Sequence, residues 1–580
     1  MALIKDYLKK TEEHQKIYGK NSIVLMQVGQ FFEIYGLRDS KTNQITGSSI
    51  QDISQKCDLS ISNKKVCVGK HGVVMSGFPE SGIDKYLKKI QDQGYTVAVY
   101  VQDTQTKNTT RSLLGIFSPG TYFPTESTQI SNHIICIWIE KIKSSILKSI
   151  GKPIVYIGLS TVDIYTGKSY IFECKEEYSH TPSTFDEIER FISIYNPNEV
   201  LFVYRNFKDN EVNDIINFSG IRCESIRKVN IDEKTNSMCE RAINCEKQSY
   251  QKELLQRFYN IPDIDTFYEN YYNYSMASNS FCFILDYIYS HNPSLVNKIA
   301  EPLFENSSKH LVLANHSINQ LNINETYLSS GINKKLSCVL NFLNRCSTPM
   351  GKRKFNYNLM HPTTSVEILQ REYEIIDYFI KHYDKFNFIY ESLSDIKDIE
   401  KLNRKIVLRK ITPQALYHFY KNLGSIKEIY KKIKKDKTLH KYCKYYVATD
   451  IDKICNEFTK LFDKTIDIKM CKDIDTLYFD TNFMKQGVYP ELDKHVKKHK
   501  ESKDILEAIR KYLNDLVERN EKKTAKKKTT EYVKIYETEK MGFSLVTTKR
   551  RSLFLLKELE KELKNNNSED KINLSYKSSY

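Results

Sequence analysis

The hydrophobic pattern of this 580-residue chain changes period once, near residue 265. Upstream, short apolar segments such as 23–28, 96–101 and 155–160 are separated by turn residues, as strands are. Downstream, strand patterns almost vanish and apolar residues recur at steps of three and four, as on helices. A chain so divided is expected to be multidomain, α/β first and all-α afterwards. The α/β part is itself divided. One unit, with an amphipathic stretch at 83–93, closes near Pro119-Gly120. A second begins at about 130, where strand-like runs accompany a helix at 185–194 with the apolar face Ile188, Phe191 and Ile192.

At roughly 100–200 residues per domain, the length corresponds to about three to five domains. With 40% hydrophobic and 12% aromatic residues several cores can form, which excludes wholesale disorder. The longest apolar stretches, 134–139 and 281–288, fall well short of the ~20 residues of a spanning helix. The first residues lack a signal-peptide core, so neither a membrane-spanning nor a secreted protein is expected. Thirteen cysteines without one Cys-x-x-Cys pair fit an intracellular, reducing compartment and no zinc site. Lys and Arg number 88 against 72 Asp and Glu, a formal charge of +16, which favours a polyanionic partner.

Within the helical part, Thr364-Ser365-Val366-Glu367 has the form of a capping box, and Val366, Leu369, Tyr373, Ile376 and Phe379 follow at helical steps. At 503–522, Leu506, Ile509, Leu513 and Leu516 make one narrow stripe on an otherwise charged helix, suited to a single seam in a projecting arm. The lysines Lys522, Lys523, Lys526, Lys527 and Lys528 come next, then two alternating segments, 532–536 and 543–547, separated by a turn with Gly542. This predicts a basic arm tipped by a small antiparallel sheet. A lysine run is ordinarily a solvated face, but on an arm of so basic a chain it is a reasonable phosphate-backbone contact.

No catalytic motif is visible. The nearest approach to a phosphate-binding loop, Gly167-Lys168-Ser169, has Val162 where the first glycine is needed and lies in a hairpin pattern. No Gly-x-Ser-x-Gly occurs. His495 and His499 are spaced as in a zinc protease, but Val496 stands where the glutamate belongs, so they are read as a solvated helix face. No catalytic residue, metal ligand or cofactor is assigned within these residues.

The segment Met26-Gln27-Val28-Gly29-Gln30-Phe31-Phe32-Glu33-Ile34-Tyr35 resembles the Gly-Asp-Phe-Tyr-Glu-Leu-Phe element of the MutS family of DNA mismatch-recognition proteins. Further matches follow in the family's order. Met75-Ser76-Gly77-Phe78-Pro79 resembles its Ala-Gly-Val-Pro segment, and Ser118-Pro119-Gly120-Thr121 its Thr-Pro-Gly-Thr end of the first domain. Asp163-Ile164-Tyr165-Thr166-Gly167 is similar to the connector's Asp-x-x-Ser/Thr-Gly turn. Leu321-Asn322-Ile323, Thr348-Pro349-Met350-Gly351-Lys352-Arg353 and Asp398-Ile399-Glu400-Lys401-Leu402 resemble segments of its helical core, and Glu491-Leu492-Asp493 the opening of its clamp. Gln30 departs from the family's usual Asp, and Glu80-Ser81 from its aromatic and His.

The resemblance implies a mixed α/β mismatch-binding domain at 1–122, an RNase H-like α/β connector at 130–262, and a long-helix lever or core at 265–480. A clamp with a helical arm and small antiparallel sheet follows at 481–560, then a tail or the start of a returning lever at 561–580. Phe31 matches the aromatic that inserts beside a mispaired base, and Glu33 the carboxylate that hydrogen-bonds that base. By charge, Lys522, Lys523, Lys526, Lys527, Lys528, Lys549, Arg550 and Arg551 are expected to contact the DNA backbone. The expected partner is double-stranded DNA with mismatches or small loops. The family's ATPase, with ATP and Mg and the homo- or heterodimer contact, is not among these residues, so a longer protein is expected; a split or degenerate member is the alternative. Two other functions remain open, a relative that binds branched or recombining DNA and a helical scaffold that binds only proteins.

Overall fold

The computed structural model describes residues 2–103, 110–124, 129–142, 153–233, 237–307, 310–311, 313, 315–324, 336–477, 479, 481–520, 531–538 and 542–565. The chain divides into two compact units, one of residues 1–459 with 471–478, the other of 460–470 with 479–580.

The larger unit begins with α1 (Ala2–Tyr18), β1 (Ser22–Val28), β2 (Phe31–Arg38), β3 (Ile45–Thr46), α2 (Ile50–Cys57), β4 (Ser62–Val68) and β5 (His71–Pro79). α3 (Ile83–Gln91), β6 (Thr96–Gln102) and β7 (Arg111–Phe117) complete this layer. The strands form one sheet in the order β4-β5-β2-β1-β6-β7, with β3 on β2. β1 is central, and its Ile23, Val24, Leu25 and Met26 are sealed from solvent. Helices cover both faces. On one, Tyr7 of α1 meets Tyr35 edge to face at 5.1 Å. On the other, Phe78 stacks on Tyr86 of α3 at 4.3 Å, beside Phe32.

A second layer follows: β8 (His133–Ile142), β9 (Ile154–Asp163), β10 (Ser169–Glu177), α4 (Asp186–Tyr195), β11 (Glu199–Arg205), α5 (Asp209–Phe218) and β12 (Ser225–Asn230). Its sheet runs β12-β11-β8-β9-β10, ending in β13 (Leu303–Phe304). Alternate residues of β8 face opposite ways: Ile135, Ile137 and Ile139 pack with α4 and α5, while Cys136 and Trp138 face the helices that follow. Gly167, at φ +76°, lies in the tight β9–β10 turn, so the Gly-Lys-Ser run sits in a hairpin as its pattern predicts.

α6 (Ser237–Cys245), α7 (Gln248–Tyr259), α8 (Ile264–Tyr272) and α9 (Ser275–His291) cover the Trp138 face. The expected onset of the helical region at 265 therefore falls inside this layer, because α8 and α9 belong to the sheet's core. α9 lies so close to β9 that a Cβ on Gly158 would collide with the Met276 backbone, and Ser160 bonds Ser280 at 2.7 Å. Only small residues on β9 permit that approach.

The remaining helices of this part are α10 (Asn315–Gln320), α11 (Val339–Leu343), α12 (Pro349–Met360), α13 (Val366–Lys381), α14 (Tyr383–Ser394), α15 (Ile399–Val407), α16 (Pro413–Lys434), α17 (Lys437–Tyr446) and α18 (Ile451–Thr465). α13 starts where expected, with Ser365 as the N-cap, which makes no side-chain cap bond. The expected stripe is also displaced. Ile375, with Tyr378 and Phe379, packs against Phe386 and Leu439, whereas Val366, Tyr373 and Ile376 are exposed.

In the smaller unit, α19 (Pro490–Asn520) leads to the antiparallel hairpin of β14 (Lys534–Thr538) and β15 (Gly542–Val546), then α20 (Lys549–Asn565). Leu516, Val517, Val533 and Leu555 make its core. Leu513 and Leu516 of the predicted stripe pack there, while Ile509 is exposed. His495 and His499 lie on an exposed part of α19. Among the described residues, no helix is long and apolar enough to cross a membrane.

Candidate nucleic-acid interface

The two-residue turn Gly29-Gln30 joins β1 to β2, and Gly29 sits at φ +62°, where a side chain is strained. The turn is tied to its neighbours. Gly29 N–H donates to Gln102 Oε1 (3.2 Å), Gln102 N–H to Gln27 Oε1 (2.9 Å), and Gln27 Nε2 to Glu80 Oε2 (3.1 Å). Glu80 N–H donates to Gln30 O (2.9 Å), and Arg111 Nε to Gln27 O (2.7 Å). Glu80, one departure from the family pattern, is thus a brace for the turn. Phe31, the first residue of β2, is 49% exposed, and the next five residues of the strand are buried.

Strand alternation puts Phe31, Glu33 and Tyr35 on one face. Glu33 is only 8% exposed. Its Oε2 accepts from the Tyr35 hydroxyl and from Lys64 Nζ at 3.1 Å, and Lys64 also reaches Tyr35 Oη at 3.2 Å. Burial, and then the bond to Glu33, push the Tyr35 phenol far above its ordinary value, so it stays a donor. Lys64 went unnoticed in the sequence. Its one signal is the polar pattern of β4, an edge strand carrying Lys64 and Lys65, ahead of Lys70 in the turn to β5.

Lys549, Arg550 and Arg551 open α20 in the smaller unit, with the Arg551 guanidinium 4.6 Å from the centre of the Tyr532 ring. Three cations in a first turn oppose the helix dipole, an arrangement that favours an anion nearby. Tyr532 is itself fixed, since Asn514 Oδ1 accepts its N–H at 2.7 Å. Lys522, Lys523, Lys526, Lys527 and Lys528 lie outside the described residues.

Two family models match the chain, MutS domain I over residues 3–126 and MutS domain III over residues 316–570. The chain belongs to the MutS family. A mutS homologue of Acanthamoeba polyphaga mimivirus, named as a DNA mismatch repair protein, is 25% identical over 578 residues, covering 96% of this chain and 50% of the relative. The DNA mismatch repair protein MutS of Clostridioides difficile is 22% identical over 80% of this chain and 43% of its own length. A mitochondrial homologue of Sarcophyton glaucum is 24% identical over 69% and 42%. The chain thus spans about half the length of these curated relatives.

Several of the MutS-like segments are brought together as joints. Arg353 forks onto both Asp398 oxygens at 2.7 Å and its Nε donates to Glu400 at 3.0 Å, so the segments around 350 and 400 form one ion-pair network. Lys168, in the connector-like turn, reaches Glu400 Oε1 at 2.7 Å. Ser118 and Gly120, which close the MutS domain I segment, both donate to the fully buried Glu199 of β11, the latter at 3.1 Å.

Proposed function

We propose that this chain recognises mispairs and small loops in duplex DNA for mismatch repair, with Phe31 as the inserting wedge. The observation that carries this reading is an exposed aromatic on a braced turn, at the head of a strand whose next five residues are buried. Parting a base step costs a few kcal/mol in intact duplex and less where pairing is already broken, so a planar wedge selects soft sites. Glu33 takes both its bonds on Oε2, which leaves Oε1 as the oxygen to accept a base N–H or share a proton with a base nitrogen. Lys64 offsets part of the carboxylate's repulsion with phosphates.

Affinity in this reading comes from backbone contacts by Lys549, Arg550 and Arg551, with Lys522, Lys523, Lys526, Lys527 and Lys528 beside them in sequence. The ATP- and Mg-dependent switch and the dimer contact implied by the family belong to the part of the relatives that this chain does not cover. The relatives' names as mismatch repair proteins favour this over branched-DNA or protein-only binding.

A gel shift comparing a G·T duplex, a perfect duplex and a four-way junction tests it. The parent should prefer G·T, and Phe31→Ala should erase about 1–3 kcal/mol of that preference, the scale of one base–aromatic stack. Equal binding to all three DNAs, or an unchanged preference in Phe31→Ala, would overturn the wedge. Replacing Lys549, Arg550 and Arg551 by Gln should weaken all duplexes alike and flatten the log–log salt slope by up to about 0.9 for each phosphate that is no longer neutralised.

A further inference from the structure

The groups that hold Glu33 form a closed set. Lys64 Nζ donates to Tyr35 Oη at 3.2 Å and to Glu33 Oε2 at 3.1 Å, and the Tyr35 hydroxyl donates to that same Oε2. Each of the three side chains therefore bonds the other two. An ionised carboxylate only accepts hydrogen bonds, and a side chain as long as that of Glu ordinarily samples several rotamers. Two donors converging on one oxygen fix both the rotamer and the turn of the carboxylate plane. Oε1 takes no bond from a described residue, yet it is not sealed off.

The two donors are anchored independently. Tyr35 is fully buried, and its ring is held edge to face by Tyr7. Lys64 reaches over from β4, with β5 lying between it and β2. Its Nζ is 4.8 Å from the centre of the Tyr35 ring, and only 31% of its side chain is exposed. A lysine gives up much of its rotamer freedom when ordered in this way. The β4–β5 register slips directly after it, between Lys64 and Cys67, and a bulge of this kind re-aims the side chains of the strand that carries it.

The intervening strand is shaped to match. Gly77 of β5 is the residue paired with Glu33. A Cβ on Gly77 would stand 2.6 Å from Phe32 O and 3.3 and 3.4 Å from Cα and Cγ of Glu33. Glycine thus keeps the neighbouring strand clear of the Glu33 stem. Phe31 is two residues before Glu33 on the same face, about 6–7 Å away along the backbone.

We propose that Lys64 and Tyr35 are positioning residues for base discrimination, pinning Glu33 Oε2 so that Oε1 is presented, already ordered, to an N–H of the base beside Phe31. The inference rests on the wedge reading and goes beyond it, because the choice of base then depends on two side chains that act through Glu33. Without them the carboxylate remains near the ring but must be ordered by the base itself, which costs part of the contact.

The test uses the 580-residue chain and three duplexes: one fully paired, one with a single unpaired thymidine, and one with N3-methylthymidine in that place. The methyl group removes the N–H without breaking a pair, since the base has none. The parent should bind the thymidine bulge about tenfold more tightly than the methylated one, the scale of a hydrogen bond to a charged group. Lys64→Met and Tyr35→Phe should each cut that ratio about threefold or more, while both variants still prefer a bulge to the paired duplex. Lys64→Arg, which can donate to the same oxygen, should restore it. A merely structural role would weaken binding to all three duplexes together and leave the ratio unmoved. Tyr35→Phe keeps the packed ring and loses only the hydroxyl, so the test survives if Lys64→Met fails to fold. A ratio near one in the parent, or an unchanged ratio in Lys64→Met and Tyr35→Phe, would overturn the proposal and leave the wedge standing. A parent with no preference for either bulge over the paired duplex would overturn the wedge, and this inference with it.

Discussion

The two sheets of the larger unit are built from similar strands but finished differently. In the second, helices close both faces and even the polar residues are enclosed: Glu199 is fully buried and accepts from Ser118, Gly120, Ser225, Arg227 and Tyr287. Arg227 in turn donates to Tyr18 O and Thr96 Oγ1 in the first layer. Along β2 of the first sheet the closure fails at the strand's first residue, leaving Phe31 uncovered while Glu33 is buried. The second sheet is therefore a joint, where charges are satisfied internally; the first presents an exposed ring, the wedge proposed above. A sealed polar network transmits position, whereas an exposed aromatic end is accessible from outside the chain.

The largest effect should come from breaking the joint. Arg227→Met leaves Glu199 buried without its guanidinium, and removing one partner of a buried pair costs about 3–5 kcal/mol. Urea unfolding should show that loss. A change below about 1 kcal/mol would mean that the hydroxyl and amide donors alone hold Glu199, and the joint would not be an ion-pair joint at all.

The same network should give acid lability. Burial holds the His291 imidazole down at about 3, with Arg227 reinforcing the shift and Glu199 opposing it. Unfolding returns the ring to its ordinary value near 6.5, so protons favour the unfolded chain below that pH. His291 stability is thus complete above about 6.5 and is lost at ~1.4 kcal/mol per pH unit as pH falls from there toward about 3. Glu199 adds the same sign at lower pH: burial raises its carboxyl, but Arg227 and the hydroxyl donors outweigh this and keep it below its ordinary value. Between pH 7.5 and 5.5 the parent should lose more stability than His291→Gln by about that one-unit amount. Equal pH dependence in the two would show that His291 is not held neutral.

What the sequence revealed and what it hid follow from range. The Gly167 hairpin and the two strands of the arm rest on alternation and turn residues a few positions apart, and the structure has them there. The place of α9 in the second layer was hidden because a helix buried nearly all round carries no stripe to show which way it packs, and its fit depends on Gly158, over 100 residues away. On α13 the spacing picked out the stripe through Tyr373 and Ile376, whereas packing against Phe386 and Leu439 falls on Ile375, Tyr378 and Phe379. At the candidate site, Phe31 and Glu33 were singled out only through the resemblance of their segment to the MutS element. The partner of Glu33 was not, because Lys64 arrives from a separate edge strand, 31 positions on.

The smallest effect on stability should come from the residue with the largest proposed effect on binding. Phe31 is half exposed, so Phe31→Ala gives up only part of one ring's burial and some strand preference, about 1 kcal/mol or less. The hydrogen bonds that brace its turn run through Gly29, Gln30, Gln27, Gln102 and Glu80 and do not involve the ring. Urea midpoints for parent and variant should nearly coincide, in contrast to Arg227→Met. A loss of about 3 kcal/mol or more, the cost of a buried Phe truncation, would show that the ring packs as core in solution. Phe31 would then be a closing residue like those of the second sheet, and the distinction between the two sheets would fail at the position on which it rests.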